Sequence, residues 1–386
     1  DASVRGCESR LDCSLNGECV AGACACEPAW SGNHCEVLRV KDDAPSSLGY
    51  HGVEGGSRLS SWGGSVHRSK SGTYHMIASE IAAGAGMMLW TCASRVVHAT
   101  SRDPLKAPFV KRRVLFDTFS HEPRCAFNPA GGLVCFFSHW PGRSLAGNCS
   151  ATNGTTPATG CGCSGGSGTM ATMMSHVDDL DDETASWSVA VPIGVIPSDP
   201  DSNFAPYIFP NGSLHALVRS NSGSNIHIAT AIRWDDPSTY TYYEQTDLPG
   251  GITLPEDPFV WRSRRGDWHS LHHAYPNPTG THAFSPDGWT WHTYWSCKYR
   301  AQFWTCNTTA GDAYRGRADF SDAIIHAGCR ERPSLVFGED GDTPVALVNG
   351  LAPDPFGVDP PTGPSGSCRY ATHDYAFTSL QPLHTS

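Results

Sequence analysis

Positive charge is scarce in this chain. Its 386 residues hold 27 Lys and Arg against 38 Asp and Glu, a net charge of -11, and no basic block interrupts the deficit. A nucleic-acid surface needs a cationic stripe, so that class of partner is set aside. Charged residues of both signs reach only 17%, beside 39% hydrophobic residues, which fits neither a disordered acidic tail nor a coiled coil. Long apolar runs are missing too. The longest surrounds 76–90, contains Glu80 and is too short to span a bilayer. The chain opens Asp1-Ala2-Ser3-Val4-Arg5-Gly6-Cys7 without a leader, which reads as a mature N-terminus after cleavage. Few windows carry a 3.6-residue hydrophobic period, which argues against a helical fold.

Cysteine, by contrast, is abundant. Sixteen cysteines and four Asn-X-Ser/Thr sequons, at Asn148, Asn153, Asn211 and Asn307, together point to an oxidising compartment. The expectation is a secreted, extracellular glycoprotein with disulfides and N-glycans. Length alone suggests two or three units, although all-β domains can exceed 250 residues.

Six cysteines fall in the first 35 residues: Cys7, Cys13, Cys19, Cys24, Cys26 and Cys35. A segment this short cannot bury a sufficient core, so cross-links must hold it. The spacing C-x5-C-x5-C-x4-C-x-C-x8-C, closing on Trp30-Ser31-Gly32-Asn33-His34-Cys35, resembles an EGF-like module. The resemblance implies the pairs Cys7–Cys19, Cys13–Cys24 and Cys26–Cys35 within a domain at 1–36. The acidic signature of calcium-binding EGF modules is absent before Cys7. The close Cys24–Cys26 spacing speaks against zinc. Such a module serves as a rigid spacer or as an adhesion unit.

From 37 to 386 the texture changes to short strand-like runs broken by Gly, Pro, Asn and Asp. A glycine turn followed by alternating apolar residues recurs five times: Ser71-Gly72-Thr73, Ala130-Gly131-Gly132, Asn211-Gly212-Ser213, Arg265-Gly266-Asp267 and Asp340-Gly341-Asp342. These turns lie roughly 55 to 80 residues apart. His98-Ala99-Thr100-Ser101, Ile228-Ala229-Thr230-Ala231 and His282-Ala283-Phe284-Ser285 read as the next strands of three units. Units that cannot bury their own faces form radial arrays, so the expectation is an all-β, five-bladed β-propeller.

Leu254-Pro255-Glu256-Asp257-Pro258-Phe259-Val260-Trp261 and Gly266-Asp267-Trp268-His269 are similar to the fourth-blade motif of five-bladed propeller glycoside hydrolases, the arabinanase and β-xylosidase group of family 43. Arg330-Glu331-Arg332-Pro333 and Phe377-Thr378-Ser379-Leu380-Gln381-Pro382 resemble their fifth-blade strands. The resemblance implies Glu256 as general acid and Glu122, in His121-Glu122-Pro123, as the residue that tunes it. It also implies a structural calcium ion in the propeller axis. The general base belongs about eight residues before Gly72, where Ser61-Trp62-Gly63-Gly64-Ser65-Val66 holds no carboxylate. Loss of a general base removes about two to four orders of magnitude in rate. Asp43, Glu54, Asp201 or a loop histidine are the conceivable substitutes. If Glu256 is structural instead, it caps a strand or pairs with Arg262 or Arg332.

Trp62, His121, Trp261, His269 and Trp289 are the candidate glycan contacts, since a flat ring packs on the C–H face of a sugar. Burial between blades is the competing role for each tryptophan. No metal-ligand spacing such as HExxH is present. Gly162-Cys163-Ser164-Gly165-Gly166 has the letters of a nucleophile elbow but no strand-then-helix setting. Arg265-Gly266-Asp267 sits where a hairpin turn belongs, and Asp178-Asp179-Leu180-Asp181-Asp182-Glu183 reads as a solvated loop. Among the ten cysteines beyond the module, Cys125 with Cys135 and Cys297 with Cys306 are the local pairings, and the Gly/Ser/Cys-rich loop at 142–169 is a bridged surface projection.

These readings converge on a propeller of hydrolase type, weakly active or inactive, used for extracellular glycan recognition or assembly. An active glycoside hydrolase and a structural subunit of a fibre or coat are the alternatives. The expected partner is an extracellular polysaccharide or glycan, with a second copy of the chain, engaged through the EGF-like module, as a further one.

Overall fold

The computed structural model describes residues 6–41, 45–117, 119–150, 159–166, 170–194, 203–220, 225–243, 255–274, 279–293, 326–354 and 375–386. Cys297, Cys306, Cys368, Asn153, Asn307, Asp43 and Asp201 lie outside them, as does the side chain of Cys329.

Each glycine turn read from the sequence joins the first two strands of an antiparallel blade, and all five turn glycines have positive φ. Blade one is Ser61–Arg68, Tyr74–Ile81, Ser94–Ser101 and Val110–Phe116. Blade two is Ser120–Phe127, Leu133–His139, Ala171–Val177 and Val191–Pro192. Blade three runs Phe204–Ile208, Leu214–Ser220, Asn225–Ala231 and Tyr240–Tyr243. Blade four has Pro255–Arg262, Trp268–Ala274 and Thr279–Ser285 among the described residues. Blade five is His326–Phe337, Pro344–Asp354 and Phe377–Pro382, and its outer place is filled by Gly49–Tyr50 from the other end of the propeller chain. The first strands of successive blades are neighbours, and that of blade five meets that of blade one. The chain is thus a closed five-bladed propeller, with few free sheet edges.

Its core is cut into slices between blades. Val66, Met76 and Val97 pack on Val336, Val348 and Leu380 at the seam of blades one and five. Val134, Phe136 and Met174 meet Phe204, Leu214 and Val218 between blades two and three. Because both faces of a blade are covered, the strands read as nearly continuous apolar runs, Leu133–His139 being buried at all but its last position. Polar ties cross the same seams. Tyr50 of the closing strand donates its hydroxyl to the fully buried Glu80, which also accepts from Arg95 at 2.6 Å and Lys111 at 3.1 Å. Asp181, read from sequence as part of a solvated loop, instead latches blade two onto the blade one hairpin, accepting from the Ser69 and Ser71 hydroxyls at 2.7 Å each.

The N-terminal module is held by Cys7–Cys19, Cys13–Cys24 and Cys26–Cys35 around the hairpin Gly17–Val20 and Ala23–Cys26. It docks on the outside of blades four and five. Trp30 stacks on Trp261, 6.4 Å between centroids at 15°, and lies 4.6 Å from the ring of His282. Cys7, Cys13, Cys35 and Leu38 share one apolar cluster with Leu271, Leu335 and Leu347. The Arg265-Gly266-Asp267 turn grips the module from the rim. Arg265 pairs with Glu18 and Glu27 at 3.3 and 3.0 Å, and Asp267 with Arg10. Three further bridges, Cys92–Cys163, Cys125–Cys135 and Cys149–Cys161, lie in blades one and two and their insertions.

Docking of this kind rests on Trp30, which is 2% exposed. Trp30→Ala should destabilise the module's seat by about 3 kcal/mol or more, seen as protease cleavage between module and propeller under conditions where the native chain is intact. Arg265→Ala, which removes only rim ion pairs, should cost about 1 kcal/mol or less.

Candidate functional site

The axis owes its chemistry to a repeated irregularity. In four of the five first strands the ladder slips by one residue, between Trp62 and Gly64, His121 and Arg124, Glu256 and Phe259, and Glu331 and Ser334. At each slip one residue is left-handed: Gly63 at φ 62°, Glu122 at 61°, Asp257 at 55° and Arg332 at 54°. In three blades a proline follows, which cannot donate to a ladder and so belongs where one is broken. Such β-bulges re-aim side chains. Here they turn Glu122, Asp257 and Arg332 towards one another from blades two, four and five. Left-handed non-glycine residues cost of order 1–3 kcal/mol each and gather at functional sites.

Arg332 joins the cluster. Its Nη1 pairs with Glu122 Oε1 and lies 2.9 Å from Asp257 Oδ1, while its backbone N–H donates to Asp257 Oδ2 at 3.2 Å. Asn203, from the start of blade three, donates its amide to Glu122 Oε2 and accepts from the Asp257 N–H at 3.3 Å. His121 stands beside Glu122, its Nε2 3.5 Å from Oε1, with its Nδ1 2.6 Å from the Ser94 hydroxyl. Burial, with Arg332 nearby, holds the His121 imidazole well below the usual histidine range, so it is neutral.

Glu256 precedes the bulge of blade four and takes a different partner, Arg219 of blade three, at 2.7 Å. Neither Arg262 nor Arg332, the partners considered from sequence, holds it. Burial first, then the neighbouring Asp257 and Glu122 carboxylates, push the Glu256 carboxyl up to about 7, against the pull of Arg219. It is therefore protonated over much of the acidic range. The side chains of Glu256 and Arg219 remain about a quarter and a fifth exposed, whereas that of Arg332 is 2% exposed. What faces solvent is a carboxyl able to give a proton, beside a guanidinium and the partly covered Glu122. That set can donate to and accept from sugar hydroxyls.

At the blade one bulge the left-handed residue is Gly63, which carries no side chain. A Cβ at Gly63 would stand 2.8 Å from Arg332 Cβ and 3.3 Å from its Nε, so the arginine lies across the place of a side chain at 63. Of the substitutes, Glu54 is ion-paired with Arg95 at 3.2 Å. Asp257, His273 and Glu331 bring ligand atoms within 4.8 Å of one another. That set is one imidazole and two carboxylates, and both oxygens of Asp257 are already engaged by Arg332. A calcium ion, which takes six to eight oxygens, does not fit it.

The other candidate residues scatter. Trp62 is 3% exposed, in a cluster with Ile81, Met87 and Ala376, and Gly350 closes on its ring. Trp261 and His269 stack on each other at 5.0 Å beneath the N-terminal module. Those three are core positions and offer no face to a sugar. Trp289 is 45% exposed on the blade four rim, perpendicular to Tyr243. Asn148 is exposed, and Asn211, also exposed, has its side chain folded back onto Ser213. Sequence reasoning considered Arg332 only as a partner of Glu256 and assigned no role to Asp257, Arg219 or Asn203. The signal for the first two was present: a charged residue before proline occurs in Glu122-Pro123, Asp257-Pro258 and Arg332-Pro333 alike.

Comparison with known proteins agrees with this architecture. A Teneurin-like EGF domain matches residues 10–38. Among solved structures, Zg3597, a family 117 glycoside hydrolase of the marine bacterium Zobellia galactanivorans, is similar at TM-score 0.50 and 12% identity over 90% of each chain. The catalytic domain of the GH62 α-L-arabinofuranosidase of Coprinopsis cinerea has TM-score 0.50 and 13% identity over 88% of this chain and 98% of that one. A GH62 hydrolase solved with xylotriose has TM-score 0.52 and 10% identity, covering 90% and 97%. Curated proteins show no match. At such identities the likeness is one of fold: an EGF-like module on a propeller shaped like those of glycoside hydrolases.

The raised carboxyl makes a pH prediction. Between its ordinary 4.5 and about 7 the folded chain binds a proton at Glu256 that the unfolded chain lacks, so this group's contribution to stability falls as pH rises through that window. Glu256→Gln should flatten the fall in melting temperature between pH 5 and 8, and carbonyl-region infrared spectra should lose a carboxyl band titrating near pH 7.

Proposed function

We propose that this chain is a secreted glycoprotein, an EGF-like module at 1–36 and a propeller at 37–386, that binds extracellular glycan at the axial cluster and turns it over weakly or not at all. The observation that carries the reading is Arg332. It lies across Gly63, where a general base would project, and neutralises the two other carboxylates nearest the axis. Glu256 keeps the protonation of a general acid, but among the described residues no carboxylate projects from the blade one bulge to activate water. Its hydroxyl-binding neighbours support retention of sugar at the site. The sixteen cysteines support the oxidising compartment.

A second reading, assembly through the module, is constrained by the docking already described. The face of the module is used within the chain, so assembly through it takes the form of exchange of modules between chains.

Reducing-end release from arabinan, xylan, galactan and algal polysaccharides tests the main reading, with binding followed by calorimetry. The native chain should bind at least one of these and release ends at a rate about two to four orders of magnitude below a base-containing propeller hydrolase. Rapid turnover abolished by Glu256→Gln would make the chain an active hydrolase. Gly63→Asp alone should not create activity: the left-handed backbone adds about 1–3 kcal/mol of strain, and Arg332 stands in the way. Its melting temperature should drop, and turnover should stay at the native level.

A further inference from the structure

Beside the axial cluster stand two insertions that the ring itself does not require. The short helix Trp90–Ala93 interrupts blade one between its second and third strands, and the hairpin Arg143–Ser150 with Thr159–Gly165 interrupts blade two at the same place. Cys92–Cys163 ties helix to hairpin across 71 residues, and Cys149–Cys161 ties the hairpin to itself. Cross-links on surface insertions imply that their position matters. What they position is aromatic. The Trp90 ring lies 4.8 Å from that of His121 and 6.0 Å from that of Phe119; Trp140 meets Phe119 edge-on at 6.5 Å and carries the Arg143 guanidinium 4.7 Å from its ring centre. His121 and Phe119 are buried behind, while Trp90 and Trp140 remain partly exposed. A single imidazole therefore separates Trp90 from the Glu122 carboxylate.

The geometry points to Trp90 and Trp140 as a second saccharide subsite, which takes the sugar next to the one held at Glu122 and Glu256. The inference rests on the glycan-binding reading of the axial cluster and adds a direction to it: the bound chain leaves the axis over blades one and two. The mixture of groups selects the occupant. Carboxylates beside an indole disfavour an acidic peptide, and the Glu256–Arg219 pair would lose hydration under an apolar helix. A sugar ring presents hydroxyls at its edge and C–H groups on its face, which suits both halves. Because the indoles are fixed by disulfides and packing, little side-chain entropy is lost on binding.

Calorimetry on the full chain would compare xylose with xylotriose, arabinose with arabinotriose and galactose with galactotriose. For the sugar that binds, the trisaccharide should bind about tenfold tighter than the monosaccharide. Trp90→Ala and Trp140→Ala should each remove most of that advantage while changing monosaccharide affinity less than twofold. Equal loss on both ligands, or no loss on either, overturns the subsite. If Trp90→Ala melts with the loss of the native fold, Trp140→Ala and Trp90→Phe carry the comparison. Absence of binding by the native chain to all six sugars overturns the axial reading itself, and the subsite with it.

Discussion

Everything at the centre of this molecule turns on one buried guanidinium. Arg332 reaches the axis from blade five and meets carboxylates delivered by blades two and four. An arginine at 2% exposure without those partners would carry a desolvation penalty of several kcal/mol. The carboxylates in turn would repel one another without it. The triad thus fixes three blades to a common point, and Asn203 adds the third blade to it. The same tie bears on the chemistry of the axis, since it sets one cation against both acids.

How much of this could be read from the residues depended on whether the signal was local. Gly72, Gly131, Gly212, Gly266 and Gly341 announce their blades because a tight turn needs a left-handed residue wherever the rest of the blade packs. Cysteine spacing announces the module for a similar reason. Glu256 and Glu122 stood out through the resemblance to hydrolase motifs, and Arg332 did not, because the carboxylates it meets come from other blades. Trp62 and Trp261 take the core role that stood beside sugar contact. Their burial comes from Gly350, the insertions and the N-terminal module, all distant in sequence. The Cys92–Cys163 bridge was equally silent, since no local feature matches partners 71 residues apart.

The docking of the module gives the Arg265-Gly266-Asp267 turn a use beyond reversing the chain. Arg265 and Asp267 are charged and lie at a turn, as an adhesion tripeptide would. Both are occupied by the chain's own Glu18, Glu27 and Arg10. The surface the module covers is apolar and stacked, with Trp30 between ring systems of the propeller. An N-terminal unit this small has little core of its own, and the propeller supplies the rest of it.

The seam between Gly49–Tyr50 and Phe377–Pro382 has a mechanical consequence. Lys41 donates to the Pro382 carbonyl and His384 to that of Arg39, both at 2.8 Å, so the chain leaving the module and the last described residues run side by side. Tension applied to the module is shared between its seat on blades four and five and this seam. The seam carries the load through backbone hydrogen bonds and the Tyr50–Glu80 contact. Where that seat gives way, the load falls on the clasp of the ring.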